Sequence, residues 1–306
     1  MNRRDFFKTA GLAAGAATVA GSRFATAQGQ PLKQNFKLKY APHFGMFENH
    51  AGKDLVDQIN FIADVGFRAF EDNGMKGRSI NVQEKIAAAL ARRGVEMGVF
   101  VANTINWQEP TLTTGKPEIL EAFLKDIKDS VEVARRVNAT WMTVVPGYVD
   151  MRQHPDFQRA HVIEALKRAA EIFEPHGLVM VLEPLNFYNH PGLFLTTVPQ
   201  AFEICKAVNS PACKILDDLY HVQIQEGNLI PNIDKAWDEI GYFQIGDNPG
   251  RNEPTTGEIH YQNVFKHIAK KSTDFILGME HGKSKEGKEG EIKLIEAYAW
   301  ADDFEI

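Results

Sequence analysis

The chain has 306 residues, with 40 Asp and Glu against 34 Lys and Arg, and a formal net charge of −6. No basic stripe offsets that balance, so nucleic acid is not an expected partner. Cys205 and Cys213 are the two cysteines and neither lies in a CxxC, which removes support for thiol catalysis; whether they pair with each other stays open. The chain opens on "NRRDFFK" (2–8), followed by the weakly apolar "TAGLAAGAATVAGS" (9–22) and the small residues "ATA" (25–27). That order reads as an export signal over residues 1–27, and the paired Arg3 and Arg4 make it resemble a twin-arginine signal. Its apolar part is shorter than the ~20 residues of a spanning helix, so no membrane anchor is expected. The expected mature chain, residues 28–306, is thereby placed in the periplasm or otherwise outside the cytoplasm, with the twin-arginine machinery as a partner.

Beyond residue 36 the sequence alternates. Strand-length apolar runs occur at "KLKYAPH" (37–43), "FRAFED" (67–72), "VEMGVFVA" (95–102) and "TWMTVVP" (140–146). Four more follow at "LVMVLEP" (178–184), "CKILDD" (213–218), "YFQIGD" (242–247) and "DFILGME" (274–280). Between them, stretches such as "GKDLVDQINFIADVG" and "NVQEKIAAALARRG" repeat apolar residues every three or four positions and end on Gly, as amphipathic helices do. Eight strand–helix units of this length predict an α/β fold, a single (β/α)8 TIM barrel over residues 28–306. The competing open doubly wound sheet, were it to bind a dinucleotide, would carry a G-x-G-x-x-G after a strand, and none is present.

On this fold the site lies at the C-terminal ends of the strands. Those ends are His43, Glu71, Glu183, Asp218, Gln244 and Glu280. The last four come from consecutive strands and supply three carboxylates and an amide oxygen, a hard-ligand set for Mn²⁺ or Mg²⁺, with Co²⁺ an alternative. Three carboxylates converging without a cation would repel one another. His43 is expected to line the same mouth, and Trp107, in the long loop "NTINWQEPTLTTGKPE" (103–118), to close over a ligand. The polar run after the seventh strand, "GDNPGRNEP" (246–254), reads as a substrate-side clamp built on Pro and Gly turns.

The segments "VLEPLN" (181–186), "HPGLFL" (190–195), "DLYHVQIQEGNL" (218–229), "FQIGDNPGRNEPTTGEI" (243–259) and "GMEHG" (278–282) resemble the hydroxypyruvate isomerase family. That family belongs to the xylose isomerase-like barrels, which also include ketose 3-epimerases. The resemblance implies that Glu183, Asp218, Gln244 and Glu280 bind the metal and that Glu183 and Glu280 also act as the acid/base pair. It implies further that His221, Arg251 and Glu71 contact substrate. One departure is His281, where such isomerases tend to carry Tyr. The expected reaction is isomerisation of a small unphosphorylated hydroxy-carbonyl compound through an enediolate, with a homo-oligomer left open. Alternatives are a keto-sugar 3-epimerase, a keto-inositol dehydratase, and an exported sugar-binding protein without catalysis. A trinuclear zinc endonuclease of this fold would need more strand-end histidines.

Overall fold

The computed structural model describes residues 33–306, so the export-signal reading lies outside the described residues. Strands β1 (Lys39–Ala41), β2 (Ala69–Phe70), β3 (Glu96–Met97), β4 (Phe100–Val101) and β5 (Trp141–Val144) come first, then β6 (Val179–Leu182), β7 (Cys213–Asp218), β8 (Ile240–Gln244) and β9 (Ile276–Gly278). All the pairings between these strands are parallel, in the order β1-β9-β8-β7-β6-β5-β4 with β2-β3 beside them. The Glu71 N–H donates to the Pro42 carbonyl at 3.0 Å, and the Asp72 N–H donates to Val99 at 3.2 Å. These bonds join β1 to β2 and β2 to the β3–β4 segment, and so complete the ring of the barrel.

The eight apolar runs are all strands, but most are shorter than the sequence suggests. The third run splits into β3 and β4 around Gly98 and Val99. A Cβ at Gly98 would lie 2.4 Å from the Tyr242 hydroxyl, so the chain passes there only without a side chain. The eighth strand ends at Gly278, which leaves Glu280 on the loop beyond it.

Helices α1 (Glu48–Ala51), α2 (Leu55–Val65), α3 (Ile80–Arg93), α4 (Pro117–Val137), α5 (Pro155–Phe173) and α6 (Val198–Val208) follow the early strands. Helices α7 (Leu219–Gln225), α8 (Leu229–Ala236), α9 (Tyr261–Lys271) and α10 (Gly287–Ala301) complete the set. Their ends follow local chemistry. Asp54 caps α2 by accepting the Val56 and Asp57 N–H groups, and Gly66 ends it at φ 112°, where an L side chain is strained.

Two of the apolar clusters form layers. The larger fills the space between strands and helices, with Tyr40, Phe67, Phe173, Phe265 and Tyr298 among its fully buried side chains. The smaller lies inside the barrel: Ala41, Ala69, Val99, Val181, Leu216, Tyr242 and Ile276. Because strand side chains alternate faces, the residues two positions past these also point inward, one layer nearer the mouth. Cys205 and Cys213 are free and buried, their Sγ atoms 3.9 Å apart.

Candidate active site

The period-two rule builds the site. Ala69, Val181, Leu216 and Tyr242 are inner-core residues, and two positions on stand Glu71, Glu183, Asp218 and Gln244, all buried. Asp218 and Gln244 are direct partners in the β7–β8 register, so their side chains share a face. Glu183, Asp218 and His221 each offer one ligand-type atom, all within 4.8 Å of one another. Glu280 is not in that trio. Its Oε2 accepts from Arg251 Nη2 at 2.7 Å and its Oε1 from Asn73 Nδ2 at 2.7 Å.

The carboxylates are held against their own ionisation. Burial first, then Glu280 and Asp218, pushes Glu183 well above the usual carboxylate range. Burial raises Glu280 to about 7 although Arg251 and the Asn73 hydrogen bond pull it down. Burial and Glu280 raise Glu71, against the hydrogen bonds from Tyr242 and Gln244. Buried acids crowded in this way are what a cation relieves.

The residues present fit a divalent ion on a separate observation. Gln244 donates its Nε2 toward Glu71 at 3.4 and 3.5 Å, and its buried Oε1 has no hydrogen-bond partner. A buried acceptor left bare costs about 1–3 kcal/mol, which coordination would recover. Tyr242 donates to Glu71 Oε2 at 3.0 Å, which fixes that carboxyl group, only 2% exposed, in place.

His221 is locked in one tautomer. The Asn189 N–H donates to Asn186 Oδ1 at 3.0 Å, which turns Asn186 Nδ2 toward His221 Nδ1 at 2.6 Å; the Asn186 N–H reaches the same atom at 3.3 Å. With Nδ1 accepting, the proton sits on Nε2. That atom has no hydrogen-bond partner and lies 3.6 Å from Asp218 Oδ2 and 3.9 Å from Glu183 Oε1. Burial lowers His221 to about 4, so the ring is neutral and Nε2 is a donor aimed into the site.

Arg251 lies in the loop after β8 at φ 48°. Its Nη2 donates to Asp218 Oδ2 at 3.0 Å and to Glu280, its Nε donates to the Glu280 carbonyl at 3.1 Å, and its plane lies 4.7 Å over the Tyr220 ring. Burial alone would weaken its charge, but Asp218 and Glu280 outweigh that and raise it further. The rest of the loop is scaffold. Asp247 accepts the Gly257 and Ile259 N–H groups at 2.8 and 3.0 Å, Glu253 holds Ser284, and Glu258 holds Asn248.

The remaining sequence candidates occupy the rim. His43, Glu71, Asn73, Arg78 and Glu280 line a cavity of about 300 Å³, but the His43 ring nitrogens contact the carbonyls of Phe44 and His281 at 2.8 and 3.4 Å. His281 turns away, its Nε2 2.7 Å from the Tyr298 hydroxyl. Trp107, 48% exposed, stacks on His190 at 5.2 Å, and His190 in turn faces His221 at 5.4 Å. Sequence reasoning missed Asn186, Asn73, Tyr242 and His190. Asn186 ends the strand-five motif "VLEPLN" (181–186), and only the tautomer question could have singled it out.

The profile described as "Xylose isomerase-like TIM barrel" matches residues 59–302. Among characterised relatives, the 2-oxo-tetronate isomerase of Pectobacterium atrosepticum is 30% identical over 56% of this chain and 66% of its own length. The hydroxypyruvate isomerase of Escherichia coli is 30% identical over 58% of this chain and 69% of its own. The chain thus spans about two thirds of these relatives. A crystal structure described as an AP endonuclease, family 2, from Brucella melitensis superposes with a TM-score of 0.72 at 23% identity, covering 83% of this chain and 96% of its own. That is a likeness of fold alone. With the family's profile matched over nearly all of the barrel, the chain belongs to the xylose isomerase-like TIM barrel family.

Proposed function

We propose that the chain is a metal-dependent isomerase of a small unphosphorylated hydroxy-carbonyl compound, hydroxypyruvate being the first candidate. The observation that carries this reading is the bare, buried Gln244 Oε1 beside buried carboxyl groups whose ionisation the fold resists. Isomerase relatives at 30% identity support it. Glu183, Asp218, Gln244 and Glu280 would hold the ion. When bound, a divalent cation supplies positive charge for two neighbouring substrate oxygens and offsets carboxylate repulsion.

The chain's own residues do the rest. One of Glu183 and Glu280 takes the proton from the hydroxyl-bearing carbon, and the other returns a proton at the adjacent carbon. His221 Nε2–H and the Arg251 guanidinium donate to the substrate oxygen on which negative charge grows, preorganised by Asn186 and Tyr220 respectively. Trp107 on His190 covers the open side and limits water. Export through the twin-arginine route belongs to the same reading, since phosphorylated sugars are scarce outside the cytoplasm.

The test is a substrate panel of hydroxypyruvate, free ketoses, keto-inositols and phosphorylated sugars, each with Mn²⁺ and after chelation. Turnover of hydroxypyruvate that chelation abolishes is expected. Activity confined to phosphorylated sugars, or unaffected by chelation, would sink the reading.

A further inference from the structure

We infer that Glu71 is a positioning residue that turns the amide oxygen of Gln244 toward the cation without itself serving as a ligand. The inference rests on the proposed role of Gln244 as a ligand and goes beyond it, because an amide has two ends and only one can bind a cation. Something must choose between them.

In the structure both oxygens of Glu71 face donors. Tyr242 donates to Oε2 at 3.0 Å, and Gln244 Nε2 lies 3.4 and 3.5 Å from the two oxygens. The opposite amide orientation would set Oε1 against those acceptor oxygens and turn the N–H groups into the site. Both contacts would be repulsive, so the acceptor at 71 selects the orientation with Oε1 free, which is the one observed.

The fold keeps room for this pair. Position 278 points inward from β9, opposite Gln244 in the register, and a Cβ there would lie 1.9 Å from Glu71 Oε2. A Cβ at Gly98 would lie 2.4 Å from the Tyr242 hydroxyl. Two inward glycines thus clear the space through which Glu71 and Tyr242 meet.

The experiment measures Mn²⁺ affinity by the electron paramagnetic resonance signal of free ion, without substrate. Glu71→Gln, which can donate or accept, should weaken binding about 10–100-fold. Adding Gln244→Glu should restore it, because the new amide at 71 then donates to a carboxylate whose other oxygen faces the metal. A merely structural Glu71 predicts the same gain from Gln244→Glu in both backgrounds, whereas positioning predicts a gain only in Glu71→Gln, because Glu71 would repel the new carboxylate. Wild-type affinity in Glu71→Gln, or a folded double variant that binds as poorly as the single one, would overturn the inference. The double variant keeps a donor–acceptor pair and decides the matter even where the single variant does not fold. Gln244→Ala separates the two levels: weakened binding there with wild-type affinity in Glu71→Gln discards only the positioning role, whereas unchanged affinity in Gln244→Ala removes the ligand reading beneath it.

Discussion

Substituting Glu280 by Gln should make the metal-free protein more stable at alkaline pH, although it removes a residue of the proposed machinery. Glu280 rises from 4.5 to about 7 in the folded chain, chiefly through burial. A carboxyl group raised in this way binds more protons folded than unfolded between those values, so stability is full below pH 4.5 and falls as pH rises to about 7. The loss is at most about 3 kcal/mol, because each tenfold difference in proton affinity between the folded and unfolded chain is worth about 1.4 kcal/mol and the side chain, 28% exposed, is partly screened by solvent. Gln is neutral throughout and close to isosteric, and loses only the Asn73 donor geometry, about 1 kcal/mol. With chelator present, Glu280→Gln should therefore match or fall slightly below wild type at pH 4.5. At pH 8 it should exceed wild type by about 1–2 kcal/mol, or roughly 3 °C in Tm for a chain of this size. Thermal unfolding in both buffers reads this directly. Adding Mn²⁺ should reverse the order at pH 8, since only the wild type has the full ligand set. A chelated wild type at least as stable as the variant at pH 8 would refute the reasoning.

Arg251→Lys keeps the charge but loses the planar fork over Tyr220, so kcat should fall roughly 100-fold with Mn²⁺ affinity nearly unchanged; wild-type kinetics would reduce the loop to a connector. Asn186→Asp should shift the His221 proton to Nδ1 and cost on the order of 10²–10⁴-fold in kcat, checked by nitrogen-15 chemical shifts of the ring. Leu216→Ala opens a hole in the fully buried barrel interior and should cost about 2–5 kcal/mol in urea unfolding.

The fold was legible because strand–helix alternation repeats eight times and several helices, such as α2 and α3, end on a left-handed Gly. Strand lengths were less so: an apolar run such as 95–102 does not reveal that Gly98 must pass under Tyr242. The mouth positions Glu183, Asp218 and Gln244 followed from strand ends, since period two fixes which side chains point inward. Glu280 was harder to place, because β9 stops at Gly278 and the loop lets its carboxylate swing to Asn73 and Arg251. Partners distant in sequence stayed hidden. The Glu71–Tyr242 contact spans 171 positions and the Asn186–His221 contact 35, and neither has a local signature.

Incubating Mn²⁺-loaded protein with hydroxypyruvate in deuterated water, and following the carbon-bound hydrogens by proton NMR, tests the central claim most directly. The account predicts conversion to the aldehyde isomer with deuterium entering at the carbon that receives the proton, and loss of both in Glu183→Gln. Binding of hydroxypyruvate with no exchange and no conversion would contradict it, and so would conversion that persists in Glu183→Gln.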